Sequence, residues 1–445
     1  MAENDVMEKL VSLAKRRGFI YQGSEIYGGL AGTWDYGPLG VALKNNIKNI
    51  WWRLFVDGWQ DMYGVDAAIV MSPKVWEASG HVSGFSDPLV ECKKCKKRFR
   101  ADQLDEKFLK ENPCTKGEHE FGPARQFNMM FKTHVGAMED ESSVSYLRPE
   151  TAGGIFVNFK NVVDSFHPKL PFGIAQIGKA FRNEIAPRDF IFRSREFEQM
   201  EIEYFVAPEM WEEQFEKWRQ DVHLFIKSVG IDAGKVHELE VAEADRAHYS
   251  KRTIDFEFDF PFGRKELYGL AYRGNFDLSS HQTASKQNLN YVEEGKEPFL
   301  PHVIEPSFGV DRTVLAVLSS AYTEDELGGE KRVYLKFSPS VAPVKAAVFP
   351  LLKNKPELVA KAQEVYQMLR KKVPQVMFDD NGNIGKRYRR QDEIGTPWTI
   401  TIDFDTLGEN PDLLNTVTVR DRDTGEQKRM HVDELVPLLL EGIAV

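Results

Sequence analysis

Arginine, glutamate and an aromatic ring recur at short intervals in Phe181-Arg-Asn-Glu184 and in Phe192-Arg-Ser-Arg-Glu-Phe-Glu-Gln-Met-Glu-Ile-Glu-Tyr-Phe205. On a strand, residues of equal parity share a face. The even positions Met200, Ile202, Tyr204 and Val206 are apolar, with Glu196 and Glu198 as exceptions near the start. The odd positions carry Arg195, Phe197, Gln199, Glu201 and Glu203, as the floor of a polar pocket would. Arg182 and Glu184 are expected to share a face on the preceding strand. Solvated strand faces also carry Glu and Arg, but seldom group a ring, an amide and carboxylates beside two separate arginines. In Glu305-Pro-Ser-Phe-Gly-Val-Asp-Arg312, Glu305 and Ser307 would share a strand face, and Gly309 would turn the chain into a helix from Val310. Arg312 then stands in the first helical turn, where free N–H groups favour phosphate. Cys92-Lys-Lys-Cys95 has zinc-knuckle spacing. The third cysteine, Cys114, is followed by Gly117 at the matching interval, which leaves His119 as the fourth ligand. A structural zinc site and a set of free thiols both remain open.

The elements that must position these residues follow from composition and pattern. With 445 residues, 42% hydrophobic and 28% charged, the chain is neither disordered nor fibrous and is long enough for two or three domains. Its 58 Lys and Arg against 68 Asp and Glu give a net charge of −10, which for the chain as a whole argues against a dedicated nucleic-acid binder. The cations are grouped, however, at 93–100 and 386–390. Three cysteines exclude a disulfide framework. No apolar run approaches the ~18–20 residues of a membrane span, and the first residues form no signal pattern, so a cytoplasmic protein is expected. Val6, Leu10 and Leu13 predict an amphipathic N-terminal helix. Leu43, Ile47, Ile50 and Leu54 predict another over 41–56, facing either the core or a second subunit. Residues 88–125, basic and cysteine-bearing, read as an inserted subdomain. Ile254–Phe260 alternates strictly, turns at Pro261-Phe-Gly263 and returns through Glu266–Tyr272, a hairpin that makes the sheet at least partly antiparallel. No Gly-rich turn or Walker loop supports a dinucleotide or P-loop fold. A short apolar helix is predicted at 313–318. Gly328-Gly329 and Pro339–Pro343 are expected to bracket a linker. Beyond it, strands at 344–350, 375–378, 398–404 and 416–420, a helix at 356–372 and a basic turn at 385–390 predict a small α/β domain.

Taken together, these motifs resemble those of class II aminoacyl-tRNA synthetases. Phe181–Glu184 with the Arg193 to Phe197 return is similar to motif 2, Gly309–Arg312 to motif 3, and the Pro38 segment with its helix to motif 1. Trp34-Asp-Tyr-Gly-Pro38, Leu147-Arg-Pro-Glu-Thr151, Arg195–Glu203 and Glu305–Gly309 more narrowly resemble the homodimeric glycyl-tRNA synthetases, in the expected order along nearly the whole chain. The resemblance implies a class II catalytic domain over 1–335, an antiparallel sheet flanked by helices with the insertion at about 88–125. It also implies an α/β anticodon-binding domain over 341–445. It implies glycine, ATP with Mg²⁺ and tRNA(Gly) as ligands, a homodimer and no membrane. Arg182 would hold the α-phosphate and act with Arg312 as a catalytic residue. Asn183, Glu184, Phe192, Phe197, Leu267 and Gly309 would surround the nucleotide, with Glu184 on the adenine amino group and Phe197 stacked on the base. Arg193 and Arg312 would hold the outer phosphates or cover the adenine face, and Glu266 would hold the Mg²⁺. Glycine offers only its ammonium for recognition, and Glu150, Glu201 and Glu305 with Ser307 would form an acidic cage for it. Arg100 and Arg273 would act near the glycine carboxylate. The basic segment 385–390 would contact tRNA, unless it is a solvated loop. The family reads Arg-Pro-Glu-Thr-Ala-Gln-Gly where this chain has Arg148-Pro-Glu-Thr-Ala-Gly153-Gly154. An amide near the substrate is therefore absent, and neighbouring groups or water are expected to compensate. A synthetase-derived subunit without activity would have lost these charged residues. The acidic cage and the lack of an editing module weigh against a prolyl or histidyl enzyme.

Overall fold

The computed structural model describes residues 3–444. Met1, Ala2 and Val445, at the outer ends of the two expected domains, lie outside the described residues. Leu10 and Leu13 seat helix α1 (Glu3–Arg16) on the core. Helix α2 (Pro38–Trp52) starts with a proline at its first position, where the missing N–H costs nothing. A π-helical turn, Arg53–Asp57, follows and rotates the apolar stripe, so Phe55 and Val56 are buried while Leu54 is only half-buried. Within this chain α2 faces inward: Trp51 and Phe55 pack on Phe308 with centroids 6.2 and 5.6 Å apart.

A seven-stranded sheet carries the site. Its strands are β1 (Met62–Gly64), β2 (Phe172–Phe181), β3 (Glu196–Val206), β4 (Val236–Glu240), β5 (Arg252–Phe260), β6 (Gly263–Gly274) and β7 (His302–Gly309). They lie in the order β4-β5-β6-β7-β3-β2-β1, and every pair is antiparallel except β1 with β2. One face packs Met200, Ile202, Tyr204 and Val206 against α2, α4 (Trp211–Ser228) and α6 (Val310–Ala321). The other face is covered at one end by α3 (Ala152–Phe166), through Phe156 and Phe159 on Phe172 and Phe205, and is open at the other. That open end is the cleft. The even-face exceptions are accounted for in part by Glu198, whose carboxylate is held by Lys44 at 2.7 Å and Lys48 at 3.1 Å of α2. Helix α5 (Phe276–Ser285) follows β6.

Three local expectations change. β2 ends at Phe181, so Arg182 and Glu184 stand in irregular chain beyond the strand, where a pocket can be walled rather than floored. Gly328-Gly329 is no linker: with φ of 63° and 77° it forms the tight turn of a hairpin, β8 (Tyr322–Leu327) and β9 (Glu330–Leu335), a conformation glycine adopts freely. The basic segment 385–390 lies in a helix, α8 (Ile384–Ile394), capped by the Asn383 side chain. Its position follows β10 (Ala346–Pro350), α7 (Pro356–Arg370) and β11 (Val376–Phe378) and precedes β12 (Trp398–Ile402), β13 (Thr416–Asp421), β14 (Gln427–His431) and α9 (Leu435–Ile443). These strands form a five-stranded sheet, β11-β10-β12-β13-β14, over a separate core that includes Val348, Leu358, Ile400 and Leu435. Burial explains the helix: Arg387 is 1% exposed and gives its donors to the carbonyls of Pro350, Asp380 and Gly382. Arg390 pairs with Asp379, and Arg389 with Glu330. Three of the four cations in the segment are thus committed within the chain.

Candidate active site

A cleft of about 450 Å³ opens on the polar face of β3, β6 and β7. Its acidic part is built on Glu201. The Glu201 carboxylate accepts from the Thr151 N–H at the start of α3, the Thr151 hydroxyl, Ser307 Oγ at 2.9 Å and Gln199 Nε2 at 3.1 Å. Burial and the neighbouring Glu150 push its pKa up, while Thr151 and Ser307 oppose them. Glu305 accepts from Arg273 Nη1 at 2.8 Å, and Glu150 lies 3.4 Å from His81 Nε2. Burial acts to raise the Glu150 pKa, but His81, Arg273 and Arg182 outweigh it and bring it to about 2. All three carboxylates are at most 8% exposed. The cleft therefore holds negative charge out of water, with carboxylate oxygens that an ammonium could engage.

Adjoining it is a part rich in arginine and aromatic rings. Arg182 Nε donates to the Pro149 carbonyl at 3.1 Å, and its guanidinium sits 5.2 Å from the Phe197 ring. Arg312 stands in the first turn of α6, over the Phe192 ring at 4.6 Å and 3.1 Å from Glu266 Oε2. Arg193 is 3.7 Å from Glu184. Glu184 Oε2 is buried without a hydrogen-bond partner, an acceptor ready for an amino group. Leu267 and Gly309 complete this wall. Asn183 does not line this cleft, and its backbone N–H bonds the Met129 carbonyl at 2.7 Å.

Two arginines differ from expectation. Arg100 bonds Asp87 and Asp102 and lies near Glu184, so the fold groups it with the arginine-rich half rather than with the acidic trio. Arg273, 1% exposed, is spent on Asp277 and Glu305 and stacks on Tyr249 at 3.7 Å, which makes it an organiser of the cage. At Gly153 a Cβ would come within 2.8 Å of the fully buried Trp76 ring. The indole occupies the space a larger side chain would need.

Several residues of the site were missed. His81 and Trp76 gave no local signal, because folding brings them in from far along the chain. Tyr249 arrives on the loop 241–251, which also lines the cleft with Val241, Asp245, Arg246 and Ala247. Asp255 could have been found, since the alternation of 254–260 places it on the polar face. Burial first, then Glu266 and Glu257, raise it to about 7.

In the insertion, the ligand atoms of Cys92, Cys95, Cys114 and His119 all lie within 4.8 Å of one another. His119 Nε2 bonds the Asn112 carbonyl at 2.8 Å and leaves buried Nδ1 without a hydrogen-bond partner, beside Cys92. A carbonyl on one ring nitrogen fixes the tautomer that frees the other for a metal. Burial pushes the Cys92 thiol up, but the N–H groups of Cys95 and Glu120 and the His119 ring bring it down to about 5, towards the thiolate a metal requires. The donor set fits tetrahedral zinc.

An antiparallel sheet with this arginine-lined cleft, followed by a separate mixed α/β domain, defines a class II aminoacyl-tRNA synthetase. The description "tRNA synthetase class II core domain (G, H, P, S and T)" matches residues 131–321, and "Anticodon binding domain" matches 345–442. The glycine–tRNA ligase of Clostridium tetani is 50% identical over 470 aligned positions covering all of both chains. That of Caldanaerobacter subterraneus subsp. tengcongensis is 49% identical over 98% of each, and that of Borrelia garinii subsp. bavariensis 50% over 96% of each. The chain belongs to the glycine–tRNA ligase family. Among the described residues no helix is long and apolar enough to cross a membrane.

Proposed function

We propose that the protein activates glycine with ATP and transfers it to the 3′ end of tRNA(Gly). The observation that carries this is the juxtaposition, in one cleft, of Glu150, Glu201, Glu305 and Ser307 with Arg182, Arg193 and Arg312. Glycine has no side chain to grip, and its carboxylate must stay free to react, so recognition falls on the ammonium. The carboxylate oxygen then attacks the α-phosphorus, a bond to phosphorus forms, and pyrophosphate leaves. Arg182 offsets the charge growing on the α-phosphoryl oxygens, with Arg312 towards the leaving phosphates. In the second step the tRNA 3′-terminal hydroxyl attacks the glycyl carbonyl and AMP departs. Mg²⁺, when bound, neutralises phosphate charge. Glu266, half-exposed and 3.1 Å from Arg312 Nη1, would hold it together with waters. Glycine-dependent ATP–pyrophosphate exchange, run against a panel of amino acids, tests the reading. Exchange is expected with glycine alone, and its absence would overturn the assignment.

The family reading also supports a role in the cytoplasm, where tRNA is charged, and a catalytic unit over about 1–335 followed by a tRNA-binding unit over 341–445. We assign structural zinc to Cys92, Cys95, Cys114 and His119. Metal analysis should find one zinc per chain, lost in His119→Ala with a drop in the insertion's protection from protease; a metal-free wild type would refute it. A homodimer is supported by the segment ahead of α2, where Ile26 and Tyr27 are 89% and 87% exposed and Leu30 is also exposed. A second copy of the chain would cover so apolar a surface.

A further inference from the structure

Glu203 stands in the cage region but has no part in the roles assigned so far. It is wholly buried, and among the described residues neither carboxyl oxygen has a hydrogen-bond partner. The β3–β7 register, Glu201 opposite Ser307 and Tyr204 opposite Ile304, sets Glu203 directly across from Glu305 on the same face. Like charges so opposed repel, and burial multiplies the cost. One cation serves the pair: Arg273, whose Nη1 bonds Glu305 while Nε and Nη2 are committed to Asp277 of α5. The remaining charged or titratable neighbours, Glu201 on the same strand and Glu150, Tyr249 and His281 around Arg273 and Glu305, supply no further fixed cation.

We propose that Glu203 and Glu305 hold one proton between them in the free enzyme and release it to solvent when the glycine ammonium enters the cage. This rests on the glycine reading. The ammonium arrives with its charge intact, the carboxyl O–H bond breaks, and the proton passes to bulk water. The charge of the acidic pair together with the ammonium is therefore the same after as that of the pair alone before. Titration directions agree: burial and then Glu305 hold Glu203 well above the usual carboxylate range, and burial raises Glu305 to about 8 against the pull of Arg273. Such a pair titrates as a unit.

Calorimetric titration of the full-length protein with glycine, in phosphate and in Tris at about pH 7, counts the protons. About one proton released per glycine is expected, with affinity rising towards tenfold per pH unit between about pH 6 and 7.5. Glu203→Gln, which keeps the shape and removes the titrating group, should cut the release to near zero. Heats independent of buffer in the wild type, or undiminished release in Glu203→Gln, would overturn the proposal. If the variant does not fold or bind, the wild-type count decides alone. No binding of glycine at all would instead strike at the substrate assignment.

Discussion

Glu201 shows how a buried carboxylate is kept ready for a cation. Its four hydrogen-bond donors come from α3, β3 and β7, so three elements fix its orientation before any ligand arrives. Preorganised charge of this kind avoids the reordering cost that a flexible acid would incur on binding. The contrast with Glu184 is instructive: in the other half of the cleft its Oε2 faces Arg193 at 3.7 Å and, among the described residues, has no hydrogen bond. Glu201→Gln replaces one acceptor oxygen by an NH₂ that faces donors, and a hydrogen bond to a charged group is worth about 1.5–3 kcal/mol. The KM for glycine should rise on the order of 10–100-fold while that for ATP stays within about threefold. Steady-state exchange kinetics checks the split; equal losses for both substrates would refute the assignment of Glu201 to the ammonium.

Helix α3 and the short helix Pro73–Ala78 pack so closely at Gly153 that the fold, not the substrate, limits what can stand there. Gly153→Ala would drive a methyl group into the Trp76 ring, an overpacking cost of about 1–3 kcal/mol. Urea denaturation should show that loss, and adding Trp76→Leu should recover part of it. A Gly153→Ala protein as stable as the parent would mean the ring yields. The same contact illustrates what the sequence could and could not convey. The strand faces of β3, the β5–β6 hairpin and the β7–α6 junction were legible because alternation and a single turn residue determine them locally. The union of Trp76 with Gly153, or His81 with Glu150, joins residues about 70 or more positions apart and has no local pattern. Local patterns also misled where one residue type serves two ends. Gly328-Gly329 reads as slack chain or as a tight turn, and only the pairing of β8 with β9 decides. The segment 385–390 reads as a basic turn facing tRNA because its polar residues hide that Arg387 is a core residue whose donors tie the helix to β10.

Across the whole molecule, the exposed apolar loop and the arginine-rich wall of the cleft are joined by hydrogen bonds. The Arg195 N–H bonds the Gly32 carbonyl at 2.7 Å, and its Nη1 bonds the Ala31 carbonyl at 2.9 Å. The same guanidinium donates through Nε and Nη2 to the Glu184 carbonyl. Gly32 also approaches Pro187 so closely that a Cβ there would lie 2.6 Å from its ring. Ile26, Tyr27 and Leu30 thus sit on a loop braced against the segment that carries Glu184 and Arg193. Leaving such residues in water costs apolar area that a second chain would cover, and covering them would also steady the loop behind the nucleotide. In the double variant Ile26→Asp with Tyr27→Asp, buried charges at the contact should disfavour association, giving a one-chain mass by sedimentation equilibrium. The KM for ATP should rise severalfold, because the brace on Glu184 and Arg193 loosens. A variant that remains a dimer would remove this face from the interface. A monomer with unchanged KM for ATP would leave the interface standing and refute its link to the arginine-rich wall.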